Sequence, residues 1–217
     1  MLTIHAADAV HGGPDGADAV AVDGAVVVAV GPCAELAAAR PRARIRQWSG
    51  LITPGLLNAG APALLEAAYH PDPREADELG EEPLTGAALA ALGMDDARWG
   101  ASARRGLQRM LRHGTTAVRG PFARPAVRTA VARSGLRVHA PAGPAAGPAS
   151  LDPLVAGPGG GPGPGPGPAE VFATPLDPGG PADLAVFDVP DLAALLAEGA
   201  GCCTATVLDG RLVFRRR

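Results

Sequence analysis

The chain has 217 residues, enough for one large domain or two small ones, and 47% of them are apolar while only 3% are aromatic, so a core must be built from small aliphatic side chains that each bury little area at ~25 cal/mol per Å². Every one of its 19 basic residues is Arg, which excludes a Schiff-base lysine and a carboxylated lysine bridging two metals. The net charge of −3 leaves no electrostatic footprint for nucleic acid or an anionic membrane.

Three cysteines, Cys33, Cys202 and Cys203, make no disulfide framework and no zinc-type spacing. The first residues have no basic segment followed by an apolar run, and no stretch reaches the ~20 apolar residues of a membrane span. The expectation is a cytoplasmic protein.

In chain order, Leu2 to Ala6 reads as a strand. Ala17 to Val22 and Ala25 to Val30 flank Asp23-Gly24, a dipeptide suited to a type I′ hairpin turn. Cys33 to Arg40 predicts a short helix and Ile45 to Trp48 a further strand. Leu51 to Pro62 is then an apolar strand, a Pro-Gly turn and a second apolar run.

Ala63 to Ala68 is a weak helical run, followed by an acidic, Pro-containing and mobile-looking loop over His70 to Pro83. The strongest helix comes next. Asp95 and Asp96 favour its start, while Trp99, Ala103, Leu107, Met110 and Leu111 recur at helical spacing. Arg104, Arg105, Arg109 and Arg112 lie largely off that face, and Gly114 stops the helix.

Gly114 to Arg119 predicts a strand, Pro125 to Arg133 a helix ended by Gly135, and Leu136 to Ala140 another strand. This makes βαβαβ, the start of a parallel sheet. Pro141 to Pro168 is low in complexity and rich in Gly and Pro, a composition expected of a solvated linker. Gly179 to Asp188 contains another strand, Asp191 to Glu198 a short helix, and Ala205 to Phe214 a hairpin around Asp209-Gly210.

Three of these segments, in this order, resemble the metal-dependent amidohydrolases, in particular the group containing imidazolonepropionase and aminodeoxyfutalosine deaminase. Pro54-Gly55-Leu56-Leu57-Asn58-Ala59 matches the opening of their barrel, Gly114-Thr115-Thr116 the entry to its second strand, and Gly179 to Asp188 the return from barrel to sandwich. The resemblance implies an α/β fold. A small β-sandwich would be made from both chain ends (1–53 and 175–217) around a truncated βαβαβ remnant of a TIM-type barrel (54–140), with residues 141–174 as a flexible linker.

In that family the opening motif ends His-x-His and holds a catalytic Zn or Fe. Gly60 and Pro62 stand in those positions here and offer no side-chain donor. Fewer than about 90 residues separate Pro54 from Pro141, against ~250 for a full barrel, so the later metal ligands have no place to be. The family activity is hydrolysis of non-peptide carbon–nitrogen bonds by a metal-activated hydroxide.

The expectation is therefore a protein without a metal cofactor. It would be non-catalytic, with a binding or assembly role in which a second copy or a protein partner covers the open sheet edge. The alternative is a hydrolase or deaminase with an altered or partner-completed site. Its candidate residues are His139, near the end of the third parallel strand, and His70 with Glu66 and Asp72. His113 reads as support for the dipole of the helix it follows, and His5 and His11 have no matched partner.

Overall fold

The computed structural model describes residues 1–141, 149–154 and 171–216. The stretch read as a linker falls largely outside them. The described residues form a mixed α/β structure with three sheets.

In the first sheet, β1 (Leu2–Ala6) lies between β3 (Ala19–Asp23) and β5 (Arg44–Gln47), and β4 (Val26–Gly31) flanks β3. Alternation along β3 divides two cores, because successive side chains leave opposite faces of a strand. Ala19 and Ala21 pack with Ile4, Ala6 and Leu36, the last from α1 (Cys33–Ala39). Val20 and Val22 face the other way, into a core shared with the second sheet.

The second sheet runs β12 (Arg211–Arg215), β11 (Cys203–Leu208), β10 (Leu184–Phe187), β6 (Leu51–Pro54), β2 (Ala9–Val10). Leu184 and Val186 of β10 enter the shared core with Ile52, Ala205 and Val207. Ala185 and Phe187 pack on the opposite face with Leu51 and Leu56. Burial on both faces explains why β10 carries no polar residue. β2 was not anticipated, since its two residues, just before a Gly-rich turn, are too few to show an alternation.

The third sheet is parallel, in the order β7 (Leu56–Asn58), β8 (Thr115–Arg119), β9 (Arg137–His139). The expected βαβαβ order is present. Its helices α2 (Ala61–Glu66), α5 (Asp96–Leu111) and α6 (Pro125–Ser134) bury Leu64, Leu107, Met110, Val118, Val127 and Val131 together. The short helices α3 (Ala76–Leu79) and α4 (Gly86–Ala90) lie between α2 and α5, and α7 (Leu192–Glu198) follows β10. Asp95 and Asp191 cap α5 and α7, accepting from the backbone N–H of Arg98 (2.7 Å) and Ala194 (2.9 Å).

The apolar run that sequence alone treats as one stretch is split between two sheets at Gly55. Pro54 ends β6 beside Leu184 of β10, and Leu56 begins β7. Gly55 donates to the Asp183 carbonyl (3.0 Å) and accepts from Ala173 N–H (2.8 Å). A Cβ on Gly55 would overlap the Thr116 hydroxyl and methyl and lie 2.6 Å from its Cβ. Close approach of β8, rather than a special φ, requires the glycine.

Two expectations are corrected. In the first hairpin Asp23 pairs with Val26, so the loop is Gly24-Ala25. Only Gly24 (φ 59°) has positive φ there, the pattern of a type II′ turn and not type I′. In the last hairpin Asp209 (φ 48°) and Gly210 (φ 69°) are both positive, and that turn has the type I′ pattern. The segment from His70 to Pro83 is not an unstructured loop. Asp72 and Glu75 form a reciprocal capping box around a 3₁₀ turn (Pro73–Glu75) leading into α3, and Tyr69 bridges to Leu84.

Candidate functional site

The carboxyl ends of β7, β8 and β9 are where a parallel α/β sheet presents functional groups, and here they carry Asn58, Arg119 and His139. Arg119 and His139 are paired in register. His139 is half-buried, and its carbonyl accepts from Gly120 N–H (3.0 Å). The Arg119 Nε is buried without a hydrogen-bond partner among the described residues. Asn58 is buried and donates through Nδ2 to the Ser150 carbonyl (2.9 Å).

Gly60 and Pro62 start α2. The Gly60 carbonyl accepts from Leu64 N–H (3.1 Å), and Pro62 occupies the first turn, where its missing N–H costs nothing. Ala61 between them is fully buried. Among the described residues no group of three or more His, Cys, Asp or Glu is placed to hold a metal ion. The residues present do not fit the metal that the resemblance implies.

The other candidates are drawn to separate elements. Glu66 accepts from the backbone N–H of Arg124 (2.6 Å), the residue preceding α6, and so places a carboxylate at that helix's positive end. His70 is fully buried against α5. Its Nε2 lies 3.0 Å from the Leu64 carbonyl, which can only accept, so the ring proton sits on Nε2. Its Nδ1 is buried with no partner among the described residues. Burial, chiefly, holds the pKa down at about 4 against the opposing Leu64 carbonyl, with Arg109 and Arg105 adding to the depression. Asp72 and the His70 carbonyl are both held by Arg105, from NH1 (3.4 Å) and Nε (2.7 Å).

In His5, His11 and His113 burial is the largest cause of a lowered pKa. His5 accepts at Nδ1 from Trp48 Nε1 (3.2 Å), and burial with the nearby Arg46 charge lowers its pKa to about 4. Burial also lowers the pKa of His11. His113 was expected to support the α5 dipole. Burial lowers its pKa, partly opposed by Asp152, which disfavours the charged form that a helix C-terminus attracts.

Sequence reasoning missed the most enclosed charge. Asp183 is fully buried; it is ion-paired with Arg137 Nε and accepts at its other oxygen from Asp209 N–H (2.8 Å). Arg137 also reaches Asp209 Oδ1 (2.7 Å). The signal was available in the Ala182-Asp183-Leu184 motif, where one carboxylate interrupts an otherwise apolar strand entry.

No protein-family model and no curated protein sequence matches the chain. Part of the chain is similar to solved amidohydrolase structures. An amidohydrolase from a Sargasso Sea environmental sample is 20% identical over 64% of this chain and 33% of its own, with a TM-score of 0.41. An adenosine deaminase from Xanthomonas campestris with bound zinc is 23% identical over 63% and 32%, with a TM-score of 0.41. The A. niger ochratoxinase is 19% identical over 64% and 31%, again with a TM-score of 0.41. The chain thus spans about a third of the length of these proteins. Among the described residues no helix is long and apolar enough to cross a membrane.

Proposed function

We propose that this chain is a relative of the metal-dependent amidohydrolases that keeps their scaffold without their metal ligands, and that it works by binding or assembly rather than by hydrolysis. The observation that carries this reading is the use of Gly60 and Pro62. Where the family motif supplies two imidazoles, this chain supplies a backbone carbonyl and a pyrrolidine ring that start α2. Neither side chain can donate to a metal.

The architecture we infer has a composite β-sandwich from residues 1–53 and 175–217, a barrel remnant over 54–140, and a connecting segment over 141–174. Supporting it, β10 to β12 join β6 in one sheet, and that sheet shares a core with the N-terminal strands. A second copy of the chain, or a protein partner, would cover the β9 edge, where Val138 is 56% exposed.

Metal content per purified chain tests the central claim. The expected result is no stoichiometric zinc, iron or manganese, and none taken up on incubation. A bound metal near one per chain overturns it. Light scattering tests assembly, with a dimer or larger species expected and a monomer counting against it.

One observation favours a second reading, a hydrolase with an altered or partner-completed site. His139 and the unpartnered Arg119 Nε share the strand ends where such a site would lie. Loss of a carbon–nitrogen hydrolase activity on His139→Ala would support that reading, and indifference of the activity to substitution of all five histidines would end its histidine-based form.

A further inference from the structure

Four arginines along α5 and its C-cap share one side of the helix, Arg105 and Arg109 half-buried and Arg104 and Arg112 exposed. Arg104, Arg105, Arg109 and Arg112 line one side of a cavity of about 490 Å³, whose other wall is the capped segment from Pro71 to Glu81. That volume falls within the range of small-molecule sites. The helix spacing 105, 109, 112 places three of these arginines along one stripe.

Two of them are already positioned. Arg105 is held by the His70 carbonyl (2.7 Å) and Asp72, and Arg109 by the Glu81 carbonyl. Arg104 and Arg112 have no ion-pair partner among the described residues. The acidic groups lining the cavity are Asp72 and Glu81. Four cations against two anions leave a local surplus of +2 in a chain whose net charge is −3.

The donor balance is more lopsided still. Each guanidinium carries five N–H donors, and three hydrogen bonds from these four arginines to protein acceptors are present. Arg104 and Arg112 face solvent, so their planar, forked donors can turn to a ligand that brings several acceptor oxygens and negative charge. Phosphate groups do so bidentately. Ala76 and Ala101 in the lining leave room for a carbon skeleton alongside.

We propose that this cavity binds a small phosphorylated molecule carrying a pyrophosphate or two phosphate groups, with Arg104 and Arg112 closing on the anion and Arg105 and Arg109 fixed beneath it. The site is separate from the ends of β7 to β9, and it stands whether or not the chain hydrolyses anything.

Calorimetric titration of the full chain with inorganic pyrophosphate tests the proposal. The expected result is saturable binding at one per chain that weakens as salt is raised. An Arg104→Gln/Arg112→Gln double variant should lose about tenfold or more in affinity while keeping its urea midpoint, because neither side chain holds the fold together by an ion pair. Arg42→Gln, on an exposed turn before β5, should bind as the parent does. No saturable binding up to about 10 mM, or equal weakening by Arg42→Gln and by the double variant, overturns the proposal. The first means that there is no site, and the second that only general charge is being read.

Discussion

Asp183, at the entry to β10, is ion-paired with Arg137, the first residue of β9, although 46 residues separate them in sequence. The pair joins the sheet made from the chain's two ends to the parallel sheet in its middle. The same two side chains converge on the final hairpin, Asp183 accepting from Asp209 N–H and Arg137 donating to its carboxylate.

Asp183→Asn keeps the shape and removes the charge. It should destabilise the chain by about 2–3 kcal/mol, near the lower end of the cost of breaking a buried pair, because Arg137 is partly exposed and retains Asp209. A urea denaturation midpoint checks this. An unchanged midpoint would mean that the pair contributes nothing to holding the sheets together.

Gly106 lies inside α5, where replacement by Ala ordinarily stabilises a helix by about 1 kcal/mol. Here a Cβ would lie 2.6 Å from His70 Nε2 and 2.8 Å from Leu65 Cδ2. His70 is fixed by its bond to Leu64 and cannot withdraw, so contact outweighs propensity. Gly106→Ala should lower stability by about 1–3 kcal/mol, and a gain would show that His70 is mobile.

At the crossover, Gly55→Ala should cost about 3 kcal/mol from overlap with Thr116. Removing the obstructing side chain with Thr116→Gly should recover part of that loss. A double-mutant cycle with no coupling between the two positions would refute the close approach.

Stability should depend on pH between 6.5 and 4. His5 and His70 titrate near 6.5 when unfolded and at about 4 when folded. The unfolded chain therefore binds more protons in that window, and stability falls as pH falls. It is fully present above 6.5 and lost on the way to 4, by at most about 3 kcal/mol per histidine. Urea midpoints across this range, compared with those of a His5→Asn/His70→Asn variant, separate the effect from other groups. The variant should show a flatter slope whatever its absolute stability.

Element type and order could be read from the sequence, because local physics sets them. Asp95 caps α5, and Trp99, Ala103, Leu107 and Met110 recur with the helical period, so that helix is fixed by its own residues. Asp209-Gly210 imposes its turn through two positive φ values. The absence of side-chain donors at Gly60 and Pro62 was equally legible, since no fold can supply them. Tertiary structure decided the rest. Nothing local tells Leu51–Pro54 and Leu56–Asn58 to join different sheets; Thr116 and Asp183, both distant in sequence, require it. Nothing local distinguishes arginines on a solvated helix face from arginines lining a cavity. That depended on where the segment from His70 to Glu81 returned over α5, which the bonds to it from Arg98, Arg105 and Arg109 hold in place.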